Sequence, residues 1–203
     1  MFSTKGQEVK ETGSVSKSLQ AGVAYAHIYD AQLRTTKDGT KKSLELTLEG
    51  PALTNFEGWT VSKNDPEGPR FAGQSARVSA TMWTDQYNET NPMKNEIMLK
   101  LTTIAMTLGL RTEIDDIEAT TLEEWVAKAV DVLTGNYAYF FLKGNEEEYN
   151  GKTLVKLSLP KYKFVSIDEN KLEKFDKTNQ YHYKALPTKP VSSFEPVNND
   201  FDM

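Results

Sequence analysis

The sequence predicts a mainly β protein with a helical insertion near its middle, and two observations carry that reading. Apolar and polar residues alternate along several short runs, as in Ser43-Leu44-Glu45-Leu46-Thr47-Leu48-Glu49, which is the period of a half-buried strand. Between Asn91-Pro92 and Gly135 the spacing changes: Met93, Ile97, Leu101, Ile104 and Leu108 recur every three or four residues, the period of a helix with one apolar face.

Residues 1–20 are rich in Ser, Thr, Lys, Glu and Gly and read as a flexible arm. Residues 21–186 form one domain in this reading. It opens with a strand from Val23 to Leu33, a turn at Lys37-Asp38-Gly39, and a second strand with Leu44, Leu46 and Leu48 facing inward. Gly50 to Gly73 holds four Gly and three Pro around Trp59 and Phe71 and reads as a long loop. Ser75 to Trp83 alternates again. It puts Ala76, Val78, Ala80 and Met82 on one face and Arg77 and Trp83 on the other.

The insertion, at about 91–135, holds two helices. Gly109 stops the first; the second starts at a capping box, Thr121 with Glu124, and ends by Gly135. Strands resume at Tyr137–Lys143, with a turn over Asn145–Gly151, a strand from Lys152 to Leu159, and another from Lys161 to Ile167 beyond Pro160. In the first of these, either Tyr137, Tyr139 and Phe141 or Ala138, Phe140 and Leu142 face the core; the pattern leaves both open. A short helix is expected near Asn170–Phe175. Residues 187–203, with Pro187, Pro190 and Pro196, read as a disordered acidic tail.

Five or six strands with helices between the third and fourth is the element order of an OB-fold, a five-stranded β-barrel. The expected fold is therefore an OB-like barrel with a two-helix insertion.

Composition narrows the function. The chain has no cysteine, which excludes disulfides, thiolate nucleophiles and Cys-based zinc sites and favours a cytoplasmic protein. No apolar run approaches the ~20 residues of a membrane span, so no membrane association is expected. The net charge of −5 is unevenly spread. Residues 85–131 hold ten acids against four bases and residues 187–203 three acids against one base, leaving the remainder of the chain, which includes the strands, with 19 bases against 16 acids. The field that a ligand meets is local, so a basic sheet face is compatible with an acidic chain.

Enzyme chemistry is not expected. His27 and His182 have no partner at metal-ligand or triad spacing, and no Gly-rich phosphate loop, HExxH or GxSxG occurs. Asp115, Asp116 and Glu118 read as a wet connection, and no metal or other cofactor is called for. A metal-dependent nuclease acting through Asp30 and Glu45 is the weakest of the alternatives considered.

The stronger pattern is aromatic residues interleaved with basic ones, because a single-strand binder needs rings to stack bases and cations to follow phosphates. Tyr25 and Tyr29 alternate on the first strand, followed by Arg34, Lys41 and Lys42. Trp59, Arg70 and Phe71 belong to the long loop, and Arg77 and Trp83 to the third strand. Tyr137, Tyr139 and Lys143 come next, then Lys152, Lys156, Lys161, Tyr162 and Lys163 in a segment without an acid. For any single ring, core packing is the competing role.

Several stretches resemble phage single-stranded DNA-binding proteins with an OB-fold and an acidic C-terminus. They are Gly22–Ile28 leading to Leu44–Gly50, Tyr139–Gly144 with Tyr149–Lys152, Pro160–Phe164, and the terminal Asn198–Met203. The resemblance implies sequence-independent binding of single-stranded DNA, protecting it in replication, recombination or repair, with homo-oligomers possible. It also implies that Asp200, Phe201 and Asp202 form a tip that docks on replication or recombination partners. The alternative is a virion or accessory structural protein that contacts other proteins through the acidic insertion.

Overall fold

The computed structural model describes residues 18–52, 71–81, 84–85 and 95–187. The expected arm up to residue 17, the middle of the long loop with Trp59 and Arg70, Met82 and Trp83, Met93, and the tail from residue 188 lie outside the described residues.

Strand β1 (Gly22–Thr35) pairs antiparallel with β2 (Lys41–Glu49), and β2 with β3 (Ser75–Ser79). Asp38 caps the connecting turn by accepting the amide of Thr40 at 3.1 Å. Two-residue β4 (Thr84–Asp85) pairs with Lys41 and Lys42. Of the expected strand Ser75–Trp83, the described residues form β3 over Ser75–Ser79, and the Ala80 amide still donates to Leu44 of β2 at 2.8 Å.

Among the described residues three helices follow where two were expected: α1 (Glu96–Leu108), α2 (Arg111–Asp115) and α3 (Leu122–Leu133). Buried Asn95 caps α1 by accepting from the amides of Ile97 and Met98, and Gly109 ends it with φ 76°. The Thr121 hydroxyl caps α3, but Glu124 reaches back to the amide and hydroxyl of Thr120, one residue earlier than a capping box requires. Arg111 and Asp115 close α2 with an i,i+4 ion pair at 2.6 Å.

Strand β5 (Ala138–Tyr149) is longer than expected. Glu146, Glu147 and Glu148 belong to it, and the turn shrinks to Asn150-Gly151, with φ of 51° and 71°. Positive φ at both positions is the geometry of a two-residue hairpin that Asn-Gly favours. Strand β6 (Lys152–Ser158) returns antiparallel to β5 and pairs parallel with β3 at Val78 and Ser79. β1 also pairs with β5 over Gly22–Ala26, which closes a ring of five strands in the order β1-β2-β3-β6-β5.

The segment Lys161–Ile167 is not one strand. Only β7 (Val165–Ser166) forms, on β5, because Lys163 takes φ 52° and turns the chain away after Pro160. The helix expected at Asn170–Phe175 is a single 3-10 turn at Glu169–Lys171, and β8 (Tyr183–Lys184) adds in parallel to β5.

The core lies inside the ring and under the helices. Leu44, Leu46, Leu48, Ala138, Phe140 and Leu142 enter the central core from the strands, whereas Phe141, from the other face of β5, is buried outside it against Phe175 and His182. Ile97, Leu101, Ile104, Trp125 and Ala129 join them from α1 and α3. Leu19 is buried as well and its amide donates to Ser75, so the ordered fold begins before residue 21.

The long loop is pinned at its base by bonds from Gly50 to Gln74 and from Gly73 to Pro51. Gly50 is required there, because a Cβ would overlap the carbonyl of Phe71. Phe71 itself is buried in the core. Among the described residues, no helix is long and apolar enough to cross a membrane.

Candidate nucleic-acid interface

The outer face of β2, β3 and β6 forms a shallow groove. Its lining mixes Ser43, Ser79 and Ser158 with Leu44, Val155 and Leu157, and its cations come from three strands: Arg34 from the end of β1, Arg77 from β3 and Lys156 from β6. Strand alternation explains the placement, since Val78 points into the core and Arg77 must then point out.

Carboxylates share the groove. Arg34 donates to Glu45 at 2.8 Å, and Lys156 pairs with Glu147. No ion pair holds Arg77 among the described residues, and it is exposed.

At its Ser79–Ser158 end the groove runs into a second cavity, of about 330 Å³, lined by Lys100, Lys143, Lys161, Tyr181, Thr81 and Glu96. The ammonium of Lys143 lies 3.8 Å from the centre of the Tyr181 ring, which is half exposed. Lys100 is buried. It donates to the carbonyls of Pro160 and Lys161 and lies over the ring of Phe164, so it fastens the bend that carries Lys161, Tyr162 and Lys163. Burial lowers its pKa from 10.5 to about 8. Tyr162 stands 70% exposed beside Leu99 of α1 and Lys161.

Grooves, cations and exposed rings thus form one continuous surface. The chain matches no protein-family model, and no curated protein matches it.

The remaining candidates divide by position. Tyr25, Tyr137 and Tyr139 form a half-buried stack on the outside of the β1–β5 seam, with Tyr25 5.4 Å from Tyr137 and 4.8 Å from Tyr139. In a ring of this order, that seam is remote from β3. Tyr29, next to the bulge in β1, is 61% exposed. Lys41 is exposed, and Lys152 is exposed beside the Asn150-Gly151 turn.

One candidate is corrected. Phe71 fills the core and offers no face to a base. Lys42, paired with a carboxylate as Arg34 and Lys156 are, meets Glu123 of α3 at 2.7 Å, an ion pair that ties the helices to β2 and depresses the pKa of Glu123. Trp59, Arg70, Trp83, Asp200, Phe201 and Asp202 lie outside the described residues.

Sequence reasoning missed Tyr181 and Lys100. Tyr181 sits in a charged segment without periodicity, and Lys100 lies on the apolar stripe of a helix, where a lysine reads as solvated. Its three-residue offset from Ile97 was the available signal.

Both histidines serve local structure. His27 Nδ1 accepts the amide of Gly135 at 3.1 Å, and buried His182 accepts the amide of Asp176 at 3.1 Å. Among the described residues, no three His, Asp or Glu side chains gather as a metal site requires.

Proposed function

We propose that the chain is a sequence-independent single-stranded DNA-binding protein built on an OB-type barrel, covering exposed strands in replication, recombination or repair. The observation that carries this reading is the continuous run of Arg34, Arg77 and Lys156 into Lys143 and Lys161, with Tyr181 and Tyr162 exposed beside them. Cations that follow phosphates and rings that stack bases are the two requirements of single-strand binding.

The ring order supports the OB-type reading, as do the parallel β3–β6 pair and the helices between the third and fourth ring strands. OB-folds bind oligonucleotides across strands 2 and 3, between the loops that join strands 1–2 and 4–5. The corresponding parts here are β2, β3, residues 36–40 and Asn150-Gly151, and the groove lies on that face. Because Glu45 and Glu147 already occupy two of its cations, phosphates bind by displacing carboxylates, which keeps affinity moderate and strongly dependent on salt.

The test is fluorescence anisotropy of labelled oligo-dT with the full-length protein at rising salt. Binding is expected to weaken with a log–log slope of about −0.7 per phosphate contact. Absence of binding at low salt ends this reading. Any docking of replication or recombination proteins on Asp200, Phe201 and Asp202 belongs to the same proposal.

A further inference from the structure

The cavity beyond the groove differs from it in electrostatic character. Its volume of about 330 Å³ lies at the small end of ligand pockets. Its charged described residues are Lys100, Lys143, Lys161 and Glu96. In the groove, Arg34 and Lys156 are neutralised by carboxylates. Here each lysine sits by a ring: Lys100 at 3.9 Å from Phe164, Lys143 at 3.8 Å from Tyr181, Lys161 at 5.5 Å from Tyr162. A ring face attracts a cation without cancelling its charge.

Glu96 is the single acid against three lysines, and the Thr81 hydroxyl donates to it at 3.3 Å. The described lining therefore carries two uncompensated positive charges. An internal phosphodiester brings one negative charge and two free oxygens. A phosphate monoester brings about −1.5 to −2 and three acceptor oxygens, which matches the cavity better.

We propose that this cavity binds a phosphate monoester, the phosphorylated end of a DNA strand, with the terminal base against the exposed ring of Tyr181. The strand as the source of that phosphate rests on the single-strand-binding reading; the phosphate site itself does not. Lys143 and Lys161 supply the donors. Lys100, with two N–H groups given to Pro160 and Lys161, acts through its charge and by holding the bend in place. Ser79 and Ser158, shared with the groove, let a strand run from one to the other.

The experiment compares oligo-dT strands of one length carrying a 5′-phosphate, a 3′-phosphate or only hydroxyl ends, bound to the full-length protein. One phosphorylated end is expected to bind roughly five-fold tighter or more. That preference disappears in Lys143→Gln and Lys161→Gln. Equal affinity for all three strands overturns the inference and leaves strand binding standing. If no strand binds, the strand-binding reading falls, and a titration with thymidine monophosphate decides the cavity alone. Amide NMR shifts at Lys143, Lys161 and Tyr181 that thymidine does not produce uphold it, and their absence overturns it.

Discussion

The ammonium of Lys100 donates to the carbonyl oxygen of Lys161 at 3.1 Å, from a position buried between α1 and the bend after Pro160. A helix residue thereby fixes the backbone of a segment that has no ladder of its own. Lys100→Met keeps the stem and removes the donors, leaving two carbonyls without their partner. The expected cost is about 1–3 kcal/mol, read by urea unfolding. Hydrogen exchange should rise at residues 161–164 more than in β5. Oligo-dT affinity should fall too, because Lys161 and Tyr162 lose their fixed placement.

The same lysine gives a pH dependence of known sign. Burial depresses its folded pKa to about 8 against 10.5 when unfolded. Between these values the unfolded chain binds more protons, so this group's contribution to stability rises with pH. The relative gain is complete above 10.5 and is lost as pH falls through about 8. Unfolding free energies from pH 7 to 10 should therefore climb for the wild type relative to Lys100→Met, which lacks the titration. Parallel curves for the two proteins would contradict the placement of this ammonium.

Arg77 and Arg34 separate charge that is available to a ligand from charge already engaged. Arg77→Ala is expected to weaken oligo-dT binding about five- to ten-fold, and to flatten the salt slope by about 0.7 as one phosphate contact is lost. Arg34→Ala should do less, since its guanidinium is shared with Glu45. Unfolding midpoints should barely move for Arg77→Ala, as exposed substitutions usually stay within about 0.5 kcal/mol. Anisotropy titrations at two salt concentrations on both variants provide the check.

The ring was legible because its long strands alternate cleanly: Leu44, Leu46 and Leu48 admit one orientation. The helices were legible through Ile97, Leu101, Ile104 and their glycine stops. The end of β5 was not, because Glu146, Glu147 and Glu148 in sequence look like a wet turn. In the fold Glu146 accepts from the Tyr183 hydroxyl at 2.7 Å, a partner 37 residues away, and Glu147 pairs with Lys156 across the hairpin, contacts that depend on where the turn falls. The candidate site was half legible. Period two correctly sent Arg77 outward, but whether Tyr25 meets water or Tyr137 and Tyr139 depends on which strands become neighbours across the seam. Lys161–Lys163 was misread as strand because a positive φ at Lys163 leaves no mark on the sequence.

Glu124 offers a further test, on the acid side. It accepts from Lys128 at 2.7 Å and from the Thr120 amide at 3.0 Å, and these bonds, the lysine first, hold its pKa near 2 instead of 4.5. A depressed carboxylate contributes stability above its unfolded pKa and loses it as pH falls through the folded one. The stability difference between wild type and Glu124→Gln should thus be constant above pH 4.5, shrink below it, and vanish near pH 2. Thermal unfolding followed by circular dichroism across that range measures it. Since the carboxylate braces the first turn of α3, hydrogen exchange should localise the loss to residues 120–125. A uniform loss over the whole ring would show that the bond to Thr120 does not brace that turn in solution.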